Sequence, residues 1–116
     1  MYRRILVPLD GSDTAERGLQ EALGLAKAFD ASLVLLSVIE YYPVMVEMAS
    51  ATTWEQISTD LRSHSQRVLE RAHDAARAAG VASEAHLEDA AAARVCDVIV
   101  DQAREHRCDL IVMGTH

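Results

Sequence analysis

Three stretches of this chain are apolar almost without interruption, residues 5–9, 33–39 and 110–113. Each is too short for a stable buried helix and lacks polar alternation, so each reads as a strand covered on both faces. The segments between them carry the helical period instead. Over residues 12–29, Ala15, Leu19, Ala22, Leu23, Ala26 and Phe29 recur at steps of three and four, with Ser12 or Asp13 placed to cap the helix. Over residues 53–79, Thr53 and Gln56 fit a capping box, Trp54, Ile57, Leu61, Val68, Ala72, Ala75 and Ala79 mark an inward stripe, and Gly80 supplies a stop. Residues 81–87 alternate apolar and polar, as a half-exposed strand near a sheet edge does. A third helix is expected from a cap at Asp89 to about His106, with Ala92, Val95, Cys96, Ile99 and Ala103 facing inward. Residues 41–52 show no period and contain Pro43, so they read as a loop exposing Val44, Met45 and Met48.

The order is βαβαβαβ, the pattern of an α/β, doubly wound, open parallel sheet. A length of 116 residues suits one such domain, residues 1–116. Half the residues are apolar but only 4% are aromatic, and 19 alanines make up the difference, which favours helices packed closely on a sheet over an aromatic-rich sandwich. The net charge is −7 with a single lysine, Lys27, so nucleic acid and anionic membrane are poor partners. No apolar run approaches the roughly eighteen residues of a membrane span, and the five-residue run after the N-terminus is too short for a signal-peptide core. A cytoplasmic location with Cys96 and Cys108 as free thiols is the expectation.

In open parallel sheets, ligands bind beyond the carboxyl ends of the strands. Those ends carry Pro8-Leu9-Asp10-Gly11-Ser12, then Val38-Ile39-Glu40, then Met113-Gly114-Thr115-His116. Proline has no backbone donor, so Pro8 stops the ladder and frees neighbouring groups, and Asp10 beside it offers an acceptor to a hydroxyl or amino group. Gly114 permits a tight turn or a close approach of backbone to phosphate. Neither the dinucleotide fingerprint nor the P-loop occurs. The five histidines form no i,i+4 pair and have no carboxylate arranged around them in sequence, so they read as surface residues. Ser12 lacks the nucleophile-elbow setting, and Cys96 reads as core; no catalytic constellation emerges.

The opening Tyr2-Arg-Arg-Ile-Leu-Val-Pro-Leu-Asp-Gly-Ser-Asp-Thr-Ala-Glu, the strand Leu35-Leu-Ser-Val-Ile-Glu and the ending Cys108-Asp-Leu-Ile-Val-Met-Gly-Thr-His resemble the universal stress protein family. The resemblance implies a five-stranded sheet of order 3-2-1-4-5, a homodimer, and in part of the family a bound adenine nucleotide, ATP or AMP, with Mg²⁺ or Mn²⁺ held through its phosphates. It assigns adenosine to Pro8, Leu9, Asp10 and Val38. The start of a glycine-rich phosphate loop falls on Met113, Gly114, Thr115 and His116. The loop's second glycine, its distal Gly-Ser/Thr and the fifth strand have no counterpart here, and an alanine run replaces a glycine-containing turn at residues 88–93. Without a fifth strand, residues 110–113 would form an unprotected apolar edge, so either a longer natural domain or a partner covering that edge is expected. The implied function is a stress-response regulatory protein that binds an adenine nucleotide and is not an enzyme, or at most a slow ATPase. The alternative is a dimeric interaction module of the same fold without nucleotide. A related adenine-nucleotide α-hydrolase such as a PP-loop enzyme is disfavoured, since its Ser-Gly-Gly-x-Asp-Ser type of loop does not follow the first strand.

Overall fold

The alternation of buried and amphipathic runs becomes an alternation of strands and helices in the computed structural model, which describes residues 2–41, 50–90 and 93–114. The elements are β1 Arg4–Pro8, α1 Asp13–Phe29, β2 Ser32–Ile39, α2 Ala51–Ala78, β3 Ser83–Asp89, α3 Val95–Glu105 and β4 Leu110–Ile111. The strands form one sheet of order β3-β2-β1-β4. All its pairings are parallel: Leu6 lies opposite Val34 and Ile111, and Leu36 opposite His86. The expected α/β architecture and strand order are therefore present.

Strand alternation divides the core. Ile5, Val7, Leu9, Leu33 and Leu35 point to the face covered by α1 and α2, where they meet Leu19, Ala22, Leu23, Ala26, Val68, Leu69, Ala72 and Ala76. Leu6, Val34 and Leu36 point to the opposite face and meet Ile99 and Ala103 of α3. The small residues of the helices allow the close approach expected from the alanine content.

Local chemistry explains where the helices begin and end, and corrects several expected boundaries. Ser12 caps α1, its hydroxyl accepting from the Ala15 N–H at 3.1 Å. The cap of α2 is Ser50 rather than Thr53, accepting from the Thr53 N–H at 3.1 Å. Gln56 donates instead to Asp60 at 2.9 Å. After Ala79, Gly80 takes φ +75°, its N–H donating to Arg77 O at 3.0 Å and that of Val81 to Ala76 O at 2.9 Å, the paired closure of a Schellman turn. The front of the α2 stripe is less covered than expected: Trp54, Ile57 and Leu61 are only half-buried, and burial sets in from Ser65. β3 runs two residues later than its alternation suggested, ending at Asp89, so Asp89 does not cap the third helix. That helix starts at Val95 after Arg94, which makes no side-chain cap. The later start brings Val95, Ile99, Gln102 and Ala103 inward and turns Cys96 out to solvent, against the expectation for Cys96. Cys108 is half-buried, and burial raises its thiol above the ordinary range. Ala92 and the expected loop residues Val44, Met45 and Met48 lie outside the described residues.

Candidate functional site

β1 ends at a residue that cannot donate, and the chain crosses the top of the sheet: the Leu9 N–H donates to Leu36 O at 2.7 Å, while Asp10 emerges exposed. One Asp10 carboxylate oxygen accepts from the Ser12 N–H at 2.9 Å, an Asx turn that aims the chain into α1. Gly11 holds φ +87° within this turn, a conformation that favours glycine. The first turn of α1 therefore opens at the carboxyl end of the sheet, beside the ends of β1 and β4.

Met113 and Gly114 leave β4 over that turn. A Cβ added to Gly114 would stand 1.9 Å from Thr14 O, so only glycine lets the backbone lie this close to α1. Gly18, one turn further along α1, is shaped by the same contact: a Cβ there would lie 2.8 Å from Gly114 N. Its absence of side chain is a packing requirement rather than a helix defect. Only a glycine inside an otherwise good helical period hints at it in the sequence.

Between these ends lies a pocket of about 310 Å³, at the lower end of the size range of small-molecule sites. Pro8, Leu9, Asp10, Val38, Met113 and Gly114 all line it. Six residues picked from three strand ends thus meet in one cavity; Thr115 and His116 lie outside the described residues. The sequence reading missed the remaining wall. Leu36 forms part of the floor, Val95 and Ile99 of α3 close one side, and Ser12, Thr14 and Ala15 bring the α1 N-terminus to the mouth. The signal for the last group was the Ser12 cap itself, because a helix start next to a strand end is where backbone donors point outward. No lysine or arginine is among the described lining residues, and Lys27 lies in the last turn of α1. The cavity therefore offers a mostly apolar lining, one carboxylate acceptor and a helix N-terminus. Its described lining residues include no nucleophile–base pair.

The universal stress protein family profile matches residues 1–116. The chain belongs to the universal stress protein family. Universal stress protein MJ0531 of Methanocaldococcus jannaschii is 32% identical over 115 residues, which are 99% of this chain and 65% of that protein, so the chain spans just under two-thirds of this relative's length. A crystal structure from the same family in Burkholderia pseudomallei is 34% identical with a TM-score of 0.84, covering 99% of this chain and 83% of the other. A universal stress protein solved in complex with cAMP is 26% identical with a TM-score of 0.65, covering 97% of this chain and 71% of the other. The universal stress protein fold thus accounts for the parallel sheet and the helices on its two faces, and the pocket lies where open sheets of this class hold their ligands.

A second polar group sits under the far end of α3. Arg4 pairs with Glu84 through a hydrogen bond to Oε1, and its Nε donates to His106 O at 2.7 Å. The Arg4 guanidinium holds the Glu84 carboxyl below its ordinary range. His86 Nε2 lies 3.3 Å from Glu84 Oε2. The expectation that no carboxylate stands near the histidines is thus corrected for His86 and His106. These two residues are distant in sequence, and only the packing of α3 over β3 brings them together.

Proposed function

We propose that this domain is a stress-response regulatory protein that binds an adenine nucleotide, ATP or AMP, in the pocket at the ends of β1, β2 and β4. The observation that carries this reading is the convergence of Pro8, Leu9, Asp10, Val38, Met113 and Gly114 on one cavity. The apolar lining suits a purine face, and the Asp10 carboxylate suits ribose hydroxyls. The cAMP-bound relative supports the ligand class. Phosphates would lie toward Gly114 and the α1 N-terminus, with Thr115 and His116 continuing that loop and Mg²⁺ or Mn²⁺ offsetting their charge. In this reading the protein acts by binding, with hydrolysis slow at most, as the family resemblance implies. A cytoplasmic homodimer completes the reading, as the family resemblance implies.

Calorimetric titration with ATP, AMP and cAMP tests it. Saturable binding below millimolar nucleotide is expected, and Asp10→Ala should weaken it at least tenfold, about 1.4 kcal/mol, with little change in Tm. Silence with all three nucleotides overturns the reading, as does unfolding of the Asp10→Ala variant, which would make Asp10 structural. The rival, a dimeric interaction module without nucleotide, is favoured by the lack of lysine and arginine in the described lining and by the net charge of −7. It predicts silent titrations together with a dimer by sedimentation.

A further inference from the structure

The alternation of β3 places Glu84, His86 and Glu88 on the face away from α2, since Ser83 bonds His73 of α2 and Leu87 joins the α1/α2 core. On that face α3 lays its last turn across the strand. The His86 and His106 rings stack with centroids 4.0 Å apart and planes inclined at 21°. One donor atom from each of Glu84, His86 and His106 lies within 4.8 Å of the others.

We propose that Glu84, His86 and His106 form a binding site for a borderline divalent transition ion of the zinc class. Two imidazole nitrogens and one carboxylate oxygen are a preferred donor set for such an ion, with water completing the tetrahedron. Bond lengths of about 2.0–2.2 Å put ligand atoms about 3.4 Å apart, so binding one ion draws the donor atoms together from up to 4.8 Å and turns the two rings out of their stacked arrangement.

Three further features fit. His86 Nε2 is buried without a well-aligned hydrogen bond, and the carboxylate oxygen it faces, Glu84 Oε2, stands 3.3 Å away. In the tautomer that carries its proton on Nδ1, that nitrogen presents a lone pair with no donor, which a metal ion would satisfy. Arg4 occupies Glu84 Oε1 and leaves Oε2 facing the histidines, while keeping the carboxylate ionised. Gln102 Oε1 lies 3.0 Å from His106 Nε2 while its amide donates to Glu105 at 3.2 Å, the kind of outer hydrogen bond that fixes the tautomer and orientation of a ligating imidazole. The nitrogen and oxygen donors favour zinc-like ions over Mg²⁺ or Ca²⁺, which take oxygen alone.

The test is titration of the intact chain with ZnCl₂ against a chelating dye, with circular dichroism on every variant. One saturable zinc site is expected and none for Mg²⁺. His86→Ala, His106→Ala and Glu84→Gln should each weaken zinc at least tenfold, and His64→Ala, on exposed α2 surface, should not. Co²⁺ in place of zinc should give the intense visible bands of a four-coordinate ion, lost in the histidine variants. Absence of saturable zinc binding, or its survival in the His86→Ala/His106→Ala double variant, overturns the proposal. Should a histidine variant fail to fold, zinc-edge absorption of the unmodified chain decides: two imidazoles in the ion's shell support the site, and none refutes it.

Discussion

The two faces of the sheet differ in how they are closed. The α1/α2 face buries fifteen core residues among those described, and the α3 face buries five. Helices shield the first along the length of the strands. The second is covered by an eleven-residue helix with the strand-end pocket under its first turns and the Glu84–His86–His106 cluster under its last. The first face thus holds the larger buried core, and the thinly covered face carries one wall of the strand-end pocket and the Glu84–His86–His106 cluster. The contrast is sharpest within one strand: β2 puts Leu35 and Leu36 on opposite sides of the same backbone, both fully buried, and Leu36 borders the strand-end pocket.

That adjacency gives the sharpest way to break the comparison. Leu35→Ala should cost about 3–5 kcal/mol and Leu36→Ala about 2–3 kcal/mol in denaturant unfolding, because surroundings that already hold a cavity relax more easily. Equal costs would mean that the α3 face is packed as tightly as the other. A smaller effect should separate two glycines of α1. Gly18→Ala forces a Cβ against Gly114 N at 2.8 Å and should destabilise by about 1–3 kcal/mol, despite the gain in helix propensity. Gly24→Ala meets nothing within 4 Å and should stabilise by about 0.5–1 kcal/mol. Loss of nucleotide affinity in Gly18→Ala but not in Gly24→Ala would tie the β4 exit to the pocket.

The smallest effect concerns acid. The folded state holds Glu84 below its ordinary range, so it binds fewer protons than the unfolded chain and loses stability as pH falls through the carboxylate range. Glu84 is 43% exposed, so this contribution is under about 1 kcal/mol after solvent screening. Arg4→Met should flatten that acid slope in unfolding measured against pH. An unchanged slope would assign it to other carboxylates, foremost Asp109, which accepts the Arg3 N–H at 2.9 Å and the Arg4 N–H at 3.1 Å.

The strands and the pocket ends were legible because burial on both faces and strand termini leave strong local marks. Pro8, Asp10 and Gly114 are residues whose backbone or side-chain chemistry departs from what a strand needs. The walls from α3 were not legible, because Val95 and Ile99 look like any helical stripe until the helix start is known. Asp89 misled for a related reason: a carboxylate after a strand reads as a cap, but here the strand itself continues to it. The His86–His106 stack has no local mark, since a strand-to-helix crossover carries the second ring back over the first.

At about 1.5 Å per residue, the 28 residues of α2 measure about 42 Å, whereas the eight of β2 span about 26 Å. Buried residues occupy only its second half, from Ser65 onward, and nearer the start the Trp54 ring rests against Tyr41 at 4.9 Å. The helix is therefore a spar anchored at one end. Its amides should exchange with solvent along a gradient, fastest before Ser65 and slowest near Ala76, so that one continuous hydrogen-bonded element melts in instalments rather than at a single threshold.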